Sequence, residues 1–433
     1  MPTVRTPVTS VTIRMYNVGF GDCFLVTLNN STGADVTFLI DCGRHSGTLL
    51  EAPPFWDVVA QVIADLPRRD GKPFVDVIVM SHRHRDHVHG FSRPDLWADV
   101  TAGEVWMPWT ENPKDPVANG LRAQQDAAAR NALRALRALG AAESSGPVAL
   151  ALNSITNEAA RDTLMKLGGK NVRYLPESLT PKSTAISHGM PDGVAVHVLG
   201  PSRDAKVIRS LDPPKGQAYL RLEREGDAPD RLDGPDGPEL NSSPRVPPPW
   251  GGRYDQPAGQ FEVMLAAAAE LGIDDRPYVG LLDYVRQSAM SDGESLAFSV
   301  DHALNGTSLV LLLEVGDLTL LFPGDAQWGT WNAMLSTPEW AAKLRRTKFL
   351  KVGHHGSHNA TPVAFVEQGF LKGATAMVSV SDTVYETEGW QQIPKKKLLG
   401  ALQLKGRVAK LIRSDELGAG TLFTEVTLPV GRP

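Results

Sequence analysis

The most chemically informative segment of this chain is residues 82–87, which read His-Arg-His-Arg-Asp-His. Burying imidazoles and a carboxylate so close together costs free energy unless each group has a hydrogen-bond partner, a counter-charge or a metal ion. The segment follows the apolar run Val75–Met80 and therefore stands at the end of a predicted strand. There, His82 and His84 project in one direction from the extended backbone, and the next turn can bring Asp86–His87 to a second ion. The spacing predicts half of a two-metal hydrolase site.

The alternative interpretation is a hydrated basic loop. Arg83, Arg85 and the nearby His89 add enough polarity for the segment to lie in water without a ligand. The chain has only 11 histidines in 433 residues, so chance assembly of this pattern is rare. We therefore favour metal binding.

A carboxylate follows a second predicted strand. Gly324 and Asp325 come just after the apolar run Leu318–Phe322. A carboxylate at a strand end can bridge two cations, although Gly-Asp pairs also form Asx turns. Asp325 is thus a candidate bridging ligand.

A second histidine cluster completes the set. Residues 353–358 read Gly-His-His-Gly-Ser-His and again follow a buried apolar run, Phe349–Val352. Residues 82–89 and 354–358 together hold seven of the 11 histidines. This concentration favours a metal site over scattered structural roles.

Alternating and apolar runs predict the strands that must position these residues. Predicted strands are Val11–Tyr16, Phe24–Leu28, Thr37–Ile40, Val75–Met80, Val172–Leu175, Val194–Leu199, Ser308–Glu314, Leu318–Phe322 and Phe349–Val352. Predicted helices are Phe55–Leu66, Leu121–Leu139 and Phe261–Leu271. The first hundred residues or so therefore form a small sheet with polar loops at one end.

The chain length predicts one large elaborated domain, residues 1–433, with an insertion at residues 203–300. Within the insertion, Asp227–Pro257 is so rich in Pro, Gly and Asp that it cannot hold a continuous helix or a central strand. We expect this segment to be irregular and to act as a lid over the site.

Composition sets limits on location and partners. The net charge of −5 argues against an extended positively charged surface that binds nucleic acid. No apolar run is long enough to span a membrane, and Met1–Ser10 lacks the apolar core of a secretory signal, so a cytoplasmic location is expected. Cys23 and Cys42 cannot form a disulfide framework and are predicted to be buried thiols.

Taken in order, these blocks resemble those of the metallo-β-lactamase fold hydrolases. The resemblance covers roughly residues 11–110, 194–202 and 303–425. Its blocks are Asn17–Asp22, Phe38–Gly43, His82–His87, Gly324–Asp325 and His354–Ser357. Val198–Pro201 and Asn305–Val310 are similar to the soluble hydrolase domain of the competence protein ComEC. The resemblance implies an α/β fold, an αββα sandwich with metals held by loops at one edge.

The resemblance also implies a ligand set. His82 and His84 would hold the first ion, Asp86 and His87 the second, and Asp325 would bridge the two. His355 would complete the second site, because the family ligand stands before a small residue, and His354 would then hydrogen-bond the cluster.

This chain departs from the family at one ligand position. Most members supply a further histidine to the first ion, whereas Asn305 stands there in this sequence. His302 or His197 could substitute. Two divalent ions are implied, and zinc is expected, but an oxygen donor such as Asn305 would suit manganese.

Two ions that share a bridging water would generate a hydroxide nucleophile, which Asp86 can orient. We expect cleavage of phosphodiester bonds, in a nucleic acid or nucleotide substrate. Ser357 and Asn359 could donate to the phosphoryl oxygens, or serve as turn or cap residues. The alternatives are a hydrolase of a lactone, thioester or β-lactam, and a non-catalytic sensor or binding module.

Overall fold

The computed structural model of the chain describes residues 7–31, 33–45, 52–138, 146–155, 157–177, 185–211, 213–214, 216–218, 300–357, 360–381, 396–418 and 420–431. The predicted lid, Asp227–Pro257, and the predicted helix Phe261–Leu271 lie outside these residues. So does most of the predicted insertion, residues 203–300.

The fold is α/β and contains two mixed sheets. Strands of the first sheet are β1 (Val8–Tyr16), β2 (Cys23–Asn30), β3 (Val36–Cys42), β4 (Arg68–Arg69), β5 (Lys72–Val79), β6 (Thr101–Pro108), β7 (Val172–Leu175) and β15 (Phe423–Pro429). They lie in the order β15-β1-β2-β3-β5-β6-β7, and β4 pairs with β5. The strands from β15 to β3 pair antiparallel, whereas β3, β5, β6 and β7 run parallel.

The second sheet repeats this plan. Its strands are β8 (Ala185–Ile186), β9 (Val194–Gly200), β10 (Val310–Val315), β11 (Leu318–Phe322), β12 (Thr347–Lys351), β13 (Thr375–Val378) and β14 (Lys410–Arg413). They lie in the order β14-β13-β12-β11-β10-β9-β8. Strands β8 to β11 pair antiparallel, and β11 to β14 pair parallel.

Helices lie among and after these strands. Their ranges are Phe55–Asp65, Arg85–Val88, Pro116–Ala138, Gly146–Ile155, Glu158–Gly168, Ala205–Arg209, 300–305, Trp328–Ser336, Pro338–Leu344, Val363–Glu367 and Lys396–Gln403. In the described part of the chain, no helix has the length and apolar character needed to cross a membrane.

Apolar side chains pack on both faces of each sheet. One core contains residues from both sheets, and in it the rings of Phe24 and Phe322 lie 6.1 Å apart. A second core joins the outer side of the first sheet to helices Phe55–Asp65 and Glu158–Gly168. A third core joins the second sheet to helices such as Trp328–Ser336. Burial of these apolar surfaces holds the layers together.

The predicted strands agree with the structure to within a few residues. The predicted helices Phe55–Leu66 and Leu121–Leu139 correspond to Phe55–Asp65 and Pro116–Ala138. Six strands were not predicted, namely β4, β6, β8, β13, β14 and β15. For β6 the reason is that parallel neighbours bury it and leave no alternating pattern to detect. Both cysteines are buried and free, as predicted.

His197 belongs to a structural ion cluster, so its prediction as a substitute metal ligand is wrong. Its Nε2 lies 2.6 Å from Oε2 of Glu314, and Nζ of Lys343 donates to the same oxygen at 2.8 Å. The sequence pattern could not reveal this, because the pairing of β9 with β10 sets the partner of His197.

Glu314 yields a stability prediction. The hydrogen bond with His197 outweighs burial, which acts to raise the pKa, and with the Lys343 hydrogen bond it lowers the pKa of Glu314 to about 2. A lowered carboxyl pKa stabilises the fold above the ordinary pKa, and this contribution disappears as the pH falls from about 4.5 to about 2. We expect Glu314→Gln to destabilise the protein at pH 7 by no more than about 1 kcal/mol, because the carboxylate is partly exposed.

Urea titrations of both proteins at several pH values check this result. The stability difference should shrink steadily below about pH 4.5. A difference that is unchanged in acid would contradict the assignment to charge.

Candidate metal centre

The candidate ligands converge because parallel strands end at a common edge of each sheet. Residues 82–87 follow β5, and Asp41 ends the neighbouring parallel strand β3. In the second sheet, Asp325 follows β11, and His354 and His355 follow the parallel strand β12. Loops after parallel strands are where α/β proteins place ligand sites.

Four of the predicted ligands form one buried group. Asp86, His87, Asp325 and His355 each offer one atom, and these atoms lie within 4.8 Å of one another. Nε2 of His87 is 3.2 Å from Oδ2 of Asp325, and Nε2 of His355 is 3.0 Å from Oδ2 of Asp86. Two carboxylates and two imidazoles in this arrangement form a donor set for a divalent cation.

His82 and His84 form an adjoining pair. Nε2 of His82 lies 2.9 Å from Nδ1 of His84, and the His82 ring lies 4.1 Å from the ring of His87. The alternation that places His82 and His84 on one side of an extended backbone therefore brings their two nitrogens together.

In His82 and His84, the ring nitrogen that points away from the other histidine forms a hydrogen bond with a serine. Ser81 donates its hydroxyl proton to Asp41 at 2.6 Å, so its oxygen accepts from Nδ1 of His82 at 3.1 Å. Ser154 likewise donates to the Leu150 carbonyl, so its oxygen accepts from Nε2 of His84 at 3.3 Å. These partners assign lone pairs to the inner nitrogens of His82 and His84.

The same holds for the other two ligand histidines. Nδ1 of His87 donates to Oδ2 of Asp41 at 2.8 Å, and Nδ1 of His355 donates to the Ser379 carbonyl at 2.8 Å. In neutral rings the two Nε2 atoms are then acceptors, and both face carboxylate oxygens. A contact between two acceptors requires a proton or a cation between them. Outer-atom partners of this kind orient the histidine ligands of metal sites.

Each carboxylate has one oxygen held by other groups and one that faces the cluster. Oδ1 of Asp86 accepts from Nδ2 of Asn153 at 3.0 Å. Oδ1 of Asp325 accepts from Nζ of Lys351 at 3.0 Å and from the backbone N–H of His354 at 2.9 Å. The Oδ2 atoms of both carboxylates therefore remain directed at the histidine nitrogens.

Charges in the cluster keep these carboxylates ionised. Burial acts to raise the pKa of Asp325, but the positive charges of Lys351 and His87 outweigh it and hold that pKa well below the ordinary value. For Asp86, His87 and the hydrogen bond from His355 likewise outweigh burial and lower the pKa. Ionised carboxylates are the form that binds cations.

The pKa values of His82 and His84 shift in the opposite direction from those of His87 and His355. Burial lowers the pKa of His82 well below its ordinary value and lowers that of His84 to about 3, so both rings are neutral. At His87 the charges of Asp325 and Asp86 outweigh burial and raise the pKa. At His355 the hydrogen bond to Asp86 does the same.

His354 and Asn305 lie beside this centre in a polar cluster of their own. Nδ2 of Asn305 is 3.3 Å from Nε2 of His354 and donates to Asp301 at 3.1 Å. Asp301 in turn lies 3.6 Å from Nε2 of His84. Oδ1 of Asn305 is buried and has no hydrogen-bond partner in the described part of the chain. Two groups of described residues could hold a metal ion, the four ligands above and a second group of Asp22, Asp41 and His87, and His302 belongs to neither.

The ligand loops approach one another too closely for ordinary side chains. A Cβ added to Gly43 would lie 2.3 Å from the backbone of Asp86 and His87. Asp41, His354 and His355 also adopt positive φ angles, from 46° to 57°. Such strained backbone persists where the surroundings enforce it, commonly at functional sites.

Several site residues were not predicted from the sequence. Lys351 was hidden within a predicted buried strand, although a lone charge in such a run is a usable signal. Asn153 and Ser154 lie on a helix that was not predicted, and Asp301 is one turn before Asn305. Ser81, Asp41 and Asp22 also contact the candidate ligands directly or through Lys351.

The two predicted substrate contacts remain predictions. Ser357 is buried, and its backbone N–H donates to the His354 carbonyl at 2.8 Å. Asn359 lies outside the described residues.

The donor set fits divalent cations, because it combines inward-facing imidazole nitrogens with ionised carboxylate oxygens. Comparison of the chain with known protein families and with curated proteins finds no match in either.

Proposed function

We propose that this protein is a metal-dependent hydrolase of the metallo-β-lactamase fold superfamily, most similar to the soluble hydrolase domain of ComEC. In this proposal the two sheets and their helices are an αββα sandwich of that type. Residues 1–433 form one elaborated domain, and residues 203–300 are an insertion. The support is the order of sequence blocks together with the convergence of their residues at one edge.

The observation that carries the proposal is the buried contact of His82 with His84 at 2.9 Å, in which both facing nitrogens are acceptors. Beside it, the contacts of His87 with Asp325 and of His355 with Asp86, at 3.2 and 3.0 Å, each need a proton or a cation between the facing atoms. The outer atoms are bound elsewhere, so cations would satisfy the facing atoms of all three contacts at once. A purely structural cluster would place a donor opposite the facing nitrogen of His82 or His84.

The proposed roles follow the contacts. His82 and His84 would hold a first ion, Asp86, His87 and His355 would hold a second, and Asp325 would be shared between them. Two divalent ions bound there would supply an activated water and neutralise charge on a phosphoryl group. Asp86 would orient that water, while Asn153 holds the Asp86 carboxylate in place.

Zinc is the proposed metal, with manganese as the alternative. The buried Oδ1 of Asn305 is an oxygen donor near His354 and, through Asp301, near His84. An oxygen ligand at the first site would favour manganese, whereas the imidazoles suit zinc.

Phosphodiesters are the proposed substrates, in nucleic acid or in nucleotides. This choice rests on the resemblance to ComEC and on the chemistry of paired cations, which neutralise the charge of a phosphoryl group undergoing attack.

Elemental analysis followed by a substrate screen tests the proposal. After reconstitution with zinc or manganese, we expect about two ions per chain. The loaded protein should hydrolyse bis-p-nitrophenyl phosphate and at least one of single-stranded DNA, RNA or a cyclic nucleotide. Hydrolysis of a lactone, thioester or β-lactam alone would reject the phosphodiester assignment, and a folded protein that takes up no metal would reject the centre itself.

Asn153→Ala should weaken metal binding by about 10- to 100-fold, because Asn153 orients Asp86 through its side-chain amide and through the backbone N–H of Asp86. Competition with a chromophoric chelator measures this affinity. Asn171→Ala is the control, since Asn171 is exposed and bonds only to the Gly103 carbonyl among described residues. Equal affinity in the Asn153 variant and wild type would show that the amide does not position Asp86.

A further inference from the structure

Two arginines beside the candidate metal centre differ from their neighbours in having no carboxylate partner among the described residues. Arg83 forms an ion pair with Asp126 at 2.8 Å, and Arg93 forms one with Asp95 at 2.6 Å. By contrast, Arg44 and Arg85 form no such pair with any described residue, although both side chains are partly buried. An uncompensated, partly buried charge is costly, so the two positions require an explanation.

Arg85 has hydrogen-bonding capacity that no described residue uses. Its Nε is buried and has no hydrogen-bond partner in the described ranges. The neighbouring carboxylate, Asp86, has its two oxygens bonded to Asn153 and His355. The side chain is half-buried, so solvent and ligands can reach it.

Backbone carbonyls orient Arg44, and no carboxylate of the described residues pairs with it. It donates to the backbone carbonyls of Val18 and Pro53, and its guanidinium lies 5.1 Å from the centre of the Phe55 ring. Carbonyl dipoles orient an arginine but do not cancel its full charge. Arg44 is therefore a fixed positive group, preorganised for an anion.

His89 is the residue that connects the two arginines through packing and backbone contacts. Its ring stacks on Phe55 at 5.0 Å with an interplanar angle of 3°. The backbone N–H of His89 donates to the Arg85 carbonyl, so the two side chains lie one helical turn apart on the same face. Nδ1 of His89 is also buried without a partner in the described part of the chain.

This cluster adjoins the metal ligands. Arg85 directly precedes Asp86, and a Cβ on Gly21 would lie 2.9 Å from Cα of Arg44 and 2.8 Å from the carbonyl oxygen of Asp86. The backbones of Arg44 and Asp86 thus pack against the same glycine. An anion at the arginines would belong to a molecule that also reaches the metal centre.

We propose that Arg44, Arg85 and His89 form an anion site for a phosphate group of the substrate, distinct from the phosphate at the metal ions. The inference rests on the proposed phosphodiesterase function and extends it, because the substrate must then carry at least two phosphates. Guanidinium groups bind phosphate through charge-assisted, often paired hydrogen bonds. Either a nucleic acid strand or a nucleoside polyphosphate has this chemistry.

Fluorescence anisotropy of the full-length protein with a short, fluorescein-labelled phosphorothioate oligothymidylate tests the site without hydrolysis. Arg85→Ala should weaken binding by about tenfold or more and make it less dependent on salt. Arg85→Lys should restore part of the affinity, because it restores the charge but not the fork of donors. Arg93→Ala is the matched control and should bind like wild type, because Asp95 already neutralises that arginine.

Competing ligands identify the source of the phosphate. Competition by ATP at a similar concentration indicates a nucleoside polyphosphate, and competition by unlabelled oligonucleotide alone indicates a nucleic acid strand. An oligothymidylate with uncharged methylphosphonate linkages should not depend on Arg85.

Wild-type affinity in the Arg85→Ala protein would overturn the anion site, as would an equal loss in the Arg93→Ala protein. Because the readout is binding, it separates the two proposals. Arg85-dependent binding with no hydrolysis of any phosphodiester would retain the anion site and reject the hydrolase. Hydrolysis with Arg85-independent binding would do the reverse.

Discussion

Asp86→Asn is expected to reduce hydrolysis of bis-p-nitrophenyl phosphate on the order of a thousandfold, the upper end of the cost of removing one preorganised electrostatic contact in an active site. The amide has nearly the shape of the carboxylate but no negative charge. Oδ2 of Asp86 faces Nε2 of His355 at 3.0 Å, where the second ion is proposed. The variant therefore binds the second ion more weakly and no longer orients the attacking water.

Three measurements separate these effects. Turnover gives kcat/KM, elemental analysis gives the metal content, and thermal unfolding shows whether the variant is folded. Asp95→Asn is the control, because Asp95 is an exposed aspartate that pairs with Arg93. If the Asp86 variant kept both its metal and its turnover, the assignment of Asp86 would be wrong.

Lys351→Met is expected to destabilise the metal-free protein by about 3–5 kcal/mol, the usual cost of removing one partner from a buried ion pair. Lys351 is buried, forms an ion pair with Asp22, and donates to Asp325 at 3.0 Å. Methionine fills a similar volume but leaves two buried carboxylates without their cation.

Urea unfolding measures the loss, and Lys348→Met is the matched control. Lys348 lies on the same strand but is exposed, so its replacement should change stability by no more than about 0.5 kcal/mol. If the Lys351 variant does not fold, adding Asp22→Asn should restore folding, because it removes one of the stranded charges. A Lys351 variant as stable as wild type would show that the lysine does not compensate these carboxylates.

Metal loading adds a second test of the same residue. Bound cations would neutralise Asp325 in place of the lysine, so the destabilisation should be smaller in the loaded protein. A loss of equal size with and without metal would place the proposed ions away from Asp325.

Much of the site was predictable because its ligands are local in the sequence. Residues 82–87 contribute four candidate ligands from a single loop, and the apolar run before them marks the strand that carries it. The run Leu318–Phe322 identified Asp325 in the same way. Apolar runs reveal buried strands, and polar residues directly after them lie at an edge of the sheet.

Strand predictions succeeded where apolar and polar residues alternate along the chain, or where a short apolar run has clear ends. They missed β4, β8, β13, β14 and β15, and they also missed β6, whose parallel neighbours remove the alternation. The helix Gly146–Ile155 was also missed. As a result, Asn153, a residue that positions Asp86, could not be connected with the site.

By itself, the sequence determined which residue types are available for metal binding and that they stand at strand ends. Only the tertiary structure decided which atoms face one another. Asp325 and Asn153 reach the first histidine block from distant parts of the chain, Lys351 pairs with Asp325, and His197 belongs to an ion cluster elsewhere. The physical reason is that hydrogen bonds and ion pairs act over a few ångströms, whereas strand order and packing set which distant segments come within that reach.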